Sequence, residues 1–455
     1  MRWNCLLHRG RNIGFHETES PLASINLAVE EFSNNWKQVN LFVALTLFVV
    51  TTGWSAKLSV DVQQITFGPK HHFFGYIGQC QTIPWNESGR YIVGLRADFQ
   101  DHMPGPDEAA DVILIDTHNN YTIRVVDQTR AWNPQQGTML YWNPHKLETQ
   151  FFFNDRDLQT NKVFCVLFDI SGGVKGRRIR EFRYEDTPIG NSGVAQKGGC
   201  FAAINYGRLA RLRPVTGYKD AFDWTVGCKH PDNDGLFVVD VATGKKQLII
   251  SFKQLAKILS FQYPHVVDTA LFINHTLWNR DNDLIYFYVR GGWRGQPKGP
   301  RINVPFTVCP DGSSLKLLKH FLGGHPEWEF GHRMIGTYEG KQVLYDIDRQ
   351  AVVEVIGNSA IIPKPGGDIA LSSDGRLLVN GYSTQGSNYY VIIRRSDGAY
   401  VQTRGFDQHY WPGGDLRNDP APCWNRDSTQ ILIPVIAGFP PQQTRQLFLL
   451  KLKGV

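Results

Sequence analysis

One pattern recurs beyond residue 80: an aromatic-led strand that runs into a polar turn, then a second apolar strand, then a strand ending in an Asp-x-x-x-Gly-type turn. It reads Pro84-Trp85-Asn86-Glu87-Ser88-Gly89, then Tyr141-Trp142-Asn143-Pro144, then a less regular Gly199-Cys200-Phe201-Ala202. Further copies are Leu277-Trp278-Asn279-Arg280-Asp281, His325-Pro326-Glu327-Trp328, Ile369-Ala370-Leu371-Ser372-Ser373-Asp374-Gly375 and Pro422-Cys423-Trp424-Asn425-Arg426-Asp427. Seven copies spaced by roughly 40 to 75 residues mean units that cannot bury both of their faces alone. The expectation is an all-β chain in which residues 57–455 form a single seven-bladed β-propeller; two stacked β-sandwiches are the alternative. The Trp-led turns are expected to close the hairpin between the second and third strands of each blade. The last copy runs into the C-terminus, so residues 57–80 are expected to supply the strand that closes the ring. No Gly-His…Trp-Asp combination occurs, because no Trp is followed by Asp, which excludes the WD40 variety.

Composition narrows the partners. The 455 residues are 42% hydrophobic and 20% charged, with 44 Gly, 24 Pro and 56 aromatics against 4 Met. Such a chain is neither disordered nor a long-helix protein. The net charge of +6, from 48 Lys+Arg against 42 Asp+Glu, comes without basic blocks. A nucleic-acid partner is not expected, and the mild positive balance suits an acidic ligand. The seven cysteines form no CxxC pair, which argues against a zinc finger or redox motif. One or two disulfides are expected if the chain is exported.

Export is expected from Leu41 to Val50 (LFVALTLFVV), which follows Lys37 and precedes small residues at Gly53 and Ala56. Ten apolar residues fall short of the ~20 that cross a bilayer, so they read as the apolar region of a signal peptide over 41–53. Residues 1–56 are then a leader, and the mature chain is secreted or periplasmic with no membrane span. A buried N-terminal strand or helix is the other reading of the same run. The long stretch upstream also fits a true start nearer Val39.

Two groups of side chains are placed to do chemistry. In a propeller the residues just ahead of each Trp-led turn gather near the axis. His275 and His325 hold that place ahead of Trp278 and Trp328, Asp368 precedes Leu371, and Arg417, Asp419 and Ala421 precede Trp424. Two imidazoles and a carboxylate could hold a divalent cation, so His275, His325 and Asp368 are the expected ligands of Mn²⁺, Zn²⁺ or Ca²⁺. The second group spans His71-His72-Phe73-Phe74-Gly75-Tyr76, residues 129–137, and Asn205-Tyr206-Gly207-Arg208-Leu209-Ala210-Arg211-Leu212-Arg213-Pro214. Strand alternation would point Tyr206 and Arg208 the same way. With His72 they form the expected catalytic set: Arg208 pairs a carboxylate, and Tyr206 exchanges a proton beside it. Tyr76, Gln136, Arg211 and Arg213 are expected to bind substrate.

The strings His72-Phe73-Phe74-Gly75-Tyr76, Arg130-Ala131-Trp132-Asn133 with Gln136-Gly137, Phe153-Asn154-Asp155-Arg156, and Arg208-Leu209 with Arg213-Pro214 and Gly217-Tyr218 carry a resemblance. The chain resembles bacterial secreted seven-bladed propellers related to oligogalacturonate lyases and propeller-type ulvan lyases. That resemblance implies an acidic poly- or oligosaccharide bound across the channel mouth and a β-elimination. A His or Tyr would take the proton α to a uronate carboxylate, whose charge a metal or Arg would offset. By the same resemblance His275 and His325 match metal-type histidines. The chain departs from the pattern at Asp368, Ala421 and Tyr141, where histidines are expected. A non-catalytic propeller that binds a glycan or a protein is the alternative.

Overall fold

The computed structural model describes residues 57–75, 82–173, 175–293, 300–408 and 413–455. The expected leader, including 41–53, and Tyr76 lie outside the described residues. Among the described residues no helix is long and apolar enough to cross a membrane.

The fold is an all-β propeller of antiparallel sheets that follow one another along the chain. The first sheet contains His71–Phe73, Tyr91–Ala97, Ala110–Asp116 and Thr122–Thr129. The second contains Tyr141–Trp142, Gln150–Arg156, Val163–Asp169 and Arg177–Phe182. Gly190–Val194, Cys200–Ile204, Gly235–Asp240 and Lys246–Ser251 make the third, and Leu271–Trp278, Ile285–Gly291, Ile302–Val308 and Lys316–Leu317 the fourth. A nine-stranded sheet follows, in which the run from Gly323–Trp328 to Ala351–Val355 meets the run from Asp368–Leu371 to Tyr400–Gln402 through a single parallel pairing, His325 with Asp368. The last sheet joins the C-terminal strands Cys423–Trp424, Gln430–Ala437 and Thr444–Lys453 to the N-terminal strand Ser59–Gln64. Ser59 to Gln64 pair in register with Lys453 to Phe448, so the two ends of the described chain share one sheet. That is the closure expected for residues 57–80. It leaves the long strand Thr444–Lys453 with a partner on each side.

Each sheet buries its faces against the next one. Apolar side chains form layers between consecutive sheets, for example Leu277, Tyr286, Trp328, Met334 and Tyr345 between the fourth and fifth four-strand runs. Polar ties fix how these layers meet. The indole N–H of Trp142 donates to the Pro84 carbonyl at 2.7 Å, that of Trp278 to Gly193 at 2.8 Å, that of Trp328 to Leu277 at 2.8 Å, and that of Trp424 to Ala370 at 2.9 Å. Each bond runs back to the preceding run of strands. Where an Asn follows the Trp, as at 143, 279 and 425, it holds the turn: Asn425 Oδ1 accepts the N–H groups of Thr429 and Gln430, both at 2.9 Å. These turns join the first strand of a sheet to its second. The expected place, between second and third strands, is therefore corrected: the Trp ends the innermost strand, as in Leu271–Trp278.

The copy at 369–375 has Leu371 where others have Trp, and a different tie replaces the indole. The buried Glu327 carboxylate accepts the Leu371 N–H at 2.7 Å. Burial pushes the Glu327 carboxyl up to about 8, against the pull of Arg280 and the Leu371 bond. The ring's seam uses an arginine: Arg426 donates to the carbonyls of Trp85 at 2.8 Å and Asn86 at 3.0 Å.

Trp278→Phe keeps an aromatic ring but strands the Gly193 carbonyl, and should lower unfolding free energy by about 1–3 kcal/mol in chemical denaturation. Deleting residues 442–455 removes the strand shared by both chain ends and should give insoluble protein; a soluble truncation with a cooperative melt would contradict the closure. Glu327 supplies a pH test. Its folded pKa lies above the usual 4.5, so folding takes up a proton. Its contribution is complete below about 4.5 and is lost as pH rises through about 8. Glu327→Gln cannot ionise, so its stability relative to wild type should grow between pH 5 and pH 9 in urea melts.

Candidate functional site

Because the strands alternate in direction, the connections from second to third strand and from outer strand to the next inner strand leave at the same end of the ring. The long connections lie at this mouth: residues 205–234, residues 252–270, and the described parts of 403–422. Two helices form there, α1 (Tyr206–Leu212) and α2 (Phe252–Leu259).

The inner strands bring the expected axial residues together. His325 Nδ1 is hydrogen-bonded to Asp368 Oδ1, and the other Asp368 oxygen accepts the Ala421 N–H at 2.9 Å. The His275 and His325 rings lie 5.2 Å apart, and His275 adopts a positive φ of 58°. Asp419 is clasped by Arg417 through bonds of 2.6 and 3.1 Å; burial and the nearby Asp368 push its carboxyl up. His275, His325 and Asp368 thus meet on neighbouring inner strands, where the sequence places them. Both Asp368 oxygens and His325 Nδ1 are already engaged, and among the described residues no group of three His, Cys, Asp or Glu could hold a metal ion.

The second expected group disperses. Tyr206 and Arg208 lie on α1, not on a strand, so alternation does not apply to them. Asn205 caps the helix by accepting the Arg208 N–H at 2.9 Å. Tyr206 is buried, stacks on Tyr218 at 4.3 Å, and donates its hydroxyl to the Asn191 carbonyl at 2.9 Å. Burial drives its hydroxyl well above the ordinary phenol range. Arg208 is buried too: it donates to the carbonyls of Leu271 (2.6 Å), Cys228 (3.1 Å) and Lys229 (2.6 Å) and to Thr225 Oγ1 (2.8 Å), with Phe252 against its face. These bonds tie the 205–234 connection to the sheet beneath.

His72 is buried on the first inner strand, with Nδ1 bonded to Gln446 Oε1 at 2.9 Å. The Gln446 amide nitrogen donates to Lys70 and Thr444, which makes Oε1 the acceptor and puts the proton on His72 Nδ1. Burial lowers the His72 pKa, so the ring is neutral near pH 7. Gln136 lies in a close chain crossing. A Cβ on Gly75 would sit 2.4 Å from the Gln136 carbonyl carbon, and one on Gly137 would sit 2.5 Å from the Phe74 carbonyl oxygen. Both glycines have positive φ, which explains the Phe-Gly and Gln-Gly pairs by packing. Asn154 belongs to the same framework: it bonds the Asn191 carbonyl at 2.8 Å and the Tyr218 hydroxyl at 3.0 Å.

Arg211 and Arg213 part at the end of α1. Arg211 pairs with Asp223 at 2.8 Å on the wall of a mouth-face cavity of about 580 Å³, which Lys219, His102, Met103 and Val226 also line. His102 stacks on Phe99 at 4.1 Å. It lies between Glu108 (2.8 Å) and Asp101 (2.6 Å), which raise its pKa in that order. Neither His102 nor Lys219 stands out in the sequence, because neither belongs to a repeat or a run. Arg213 turns toward Trp293.

The five described cysteines, Cys165, Cys200, Cys228, Cys309 and Cys423, are free thiols; the expected disulfides find no pair among them. Cys5 and Cys80 lie outside the described residues.

No family model matches the chain, and no curated protein does. Solved structures do. TolB from Acinetobacter baumannii is 13% identical over 67% of this chain and 62% of its own, with a TM-score of 0.35. The chain thus spans less than two thirds of that TolB. The β-propeller domain of the Trilobed protease from Pyrococcus furiosus is 12% identical over 86% of this chain and 95% of its own, at a TM-score of 0.44. A putative TolB from Agrobacterium tumefaciens is 11% identical over 77% and 90%, at 0.34.

Tyr206→Phe should lower stability by about 1–3 kcal/mol, because it leaves the buried Asn191 carbonyl with one donor fewer. A variant that melts like wild type would mean that the hydroxyl is not part of the framework.

Proposed function

We propose that this chain is an exported propeller that binds an acidic oligo- or polysaccharide on its mouth face. The two four-strand runs of the nine-stranded sheet are counted as separate blades, which gives the seven that the sequence repeat calls for. The observation that carries the reading is the 580 Å³ cavity beside α1, lined by Arg211, Lys219 and a His102 held toward its charged form, with Asp220 and the Arg211-paired Asp223 also on its lining. A sugar carboxylate can be met there by an ammonium and a guanidinium, while Met103 and Val226 offer apolar contact to the ring.

Binding without turnover is favoured over elimination. Tyr206 and Arg208, the pair expected to act on the uronate, spend their polar atoms on buried framework bonds. Elimination on a uronate-containing glycan is the second reading, with His275, His325 and Asp368 rearranged to take Mn²⁺, Zn²⁺ or Ca²⁺. The observation in its favour is the 5.2 Å approach of the two imidazoles at the axis.

A glycan panel tests both. Polygalacturonate, ulvan and glycosaminoglycans should bind and neutral glucans should not, with affinity falling as salt rises. Arg211→Ala combined with Lys219→Ala should weaken binding at least about tenfold, a loss of ~1.4 kcal/mol. Equal binding of neutral and acidic glycans would overturn the first reading. Ultraviolet absorbance from an unsaturated uronate, together with stoichiometric metal in the purified protein, would establish the second.

A further inference from the structure

Arg213, Arg290 and Arg301 surround one indole, with guanidinium carbons 5.7, 5.8 and 5.1 Å from the centre of the Trp293 ring. Phe272 holds that ring from its edge at 5.7 Å. Elsewhere at the mouth the arginines have acids: Arg417 pairs with Asp419 and Arg211 with Asp223. These three do not. Arg290 donates only to neutral amide oxygens, Asn274 Oδ1 at 2.5 Å and Asn303 Oδ1 at 2.8 Å. Arg213 makes no hydrogen bond or ion pair with any described residue, and its Nε is buried without an acceptor. Burial, then Arg290 and Arg417, lower its pKa to about 10; Asp415 offsets part of this and Arg301 adds to it. Residues 284–310, which carry Arg290, Trp293 and Arg301, contain no Asp or Glu.

Like charges gathered in partly dry surroundings repel one another and lose hydration, so an unpaired guanidinium there destabilises the fold unless something offsets it. The indole face gives each cation a weak attraction but carries no net charge. A single carboxylate would offset one of the three. A tetrahedral oxyanion presents three or four acceptor oxygens to several forks at once, and a phosphate ester adds a charge of nearly −2.

We propose that the Arg213, Arg290 and Arg301 cluster around Trp293 is a binding site for a tetrahedral oxyanion, the phosphate or sulfate ester group of a larger ligand. The site is independent of the cavity beside α1 and does not rest on the glycan reading. Arg213 supplies the open fork, Arg290 is held in place by its two asparagines, and Arg301 closes the exposed side.

Calorimetric titration of the purified chain with inorganic phosphate, sulfate and acetate at low ionic strength tests it. Phosphate or sulfate should bind saturably at one site, and acetate at least about tenfold more weakly. Phosphate binding that tightens from pH 5.5 to 7.5 and exceeds sulfate points to a phosphate ester; the reverse order points to a sulfated ligand. Arg213→Gln should weaken binding at least about tenfold. It should melt at or above the wild-type temperature without ligand, since it removes a repelling charge. Arg301→Gln, on an exposed residue, should weaken binding with the fold intact, and Arg211→Gln should bind as wild type does. No saturable binding, acetate as tight as phosphate, or undiminished binding by both Arg213→Gln and Arg301→Gln would overturn the proposal. A lower melting temperature for ligand-free Arg213→Gln would overturn it as well, because the arginine would then be part of the framework. If Arg211→Gln alone loses phosphate binding, the cavity beside α1 is the anion site and this cluster is not.

Discussion

Among the described residues, a blade has no backbone ladder to its neighbour apart from the single His325–Asp368 pairing. Apolar burial holds consecutive sheets together but is indifferent to small rotations. The indole bonds remove that freedom. Each of Trp142, Trp278, Trp328 and Trp424 fills the layer between two sheets and donates to a carbonyl of the preceding run. A large aromatic surface and a directional bond thus come from one side chain. Where Trp is replaced by Leu371, a buried carboxyl takes over, and at the seam Arg426 does so. The relative heights of the inner strands that these bonds join follow from them, and so does the meeting of His275, His325 and Asp368 at the axis.

This is why the architecture was legible. The residue that pins the blades is the residue that marks the repeat, and where an Asn follows it, that Asn holds the turn. Closure was legible for a related reason: the seventh copy shows only two strong strands, and an unpaired edge calls for a strand from residues 57–80. The hairpin order was misjudged because a Trp-Asn turn has the same local chemistry wherever it falls in a blade. Only the pairing of Leu271–Trp278 with Ile285–Gly291 shows which turn it is.

The candidate site was less legible, and α1 shows the reason. Tyr206, Leu209, Ala210 and Leu212 carry an apolar pattern of helical period behind Asn205, a good N-cap. Read as a strand, the same seven residues send Tyr206 and Arg208 to one face. Read as a helix they send Tyr206 down onto Tyr218 and Arg208 beneath the connection, where both become framework. His102, Lys219 and Trp293 were invisible for the opposite reason. They sit singly on connections, and only the folded ring brings them to the mouth.

Charge compensation then separates the framework from the surface open to a ligand. Arg208 is as buried as any arginine in the ring, yet three carbonyls, a hydroxyl and an aromatic face absorb its donors. Arg445 is similarly enclosed, donating to the carbonyls of Pro134 and Arg417. Such residues cannot exchange their partners for a solute without loosening the chain that supplies them. Arg213 stands two residues beyond the paired Arg211, where α1 has ended and the backbone turns away. Its guanidinium reaches a part of the mouth where Arg290, Arg301 and the Trp293 indole gather, with Asp415 offsetting part of the repulsion. The three arginines therefore differ by position: the first anchors the connection, the second is balanced by Asp223, and the third makes no ion pair with a described residue and feels only a partial offset from Asp415. A folded chain keeps an unbalanced, half-buried charge only where the loss in stability is small or where a solute offsets it. That places the third arginine, rather than the first, on the surface that meets a ligand.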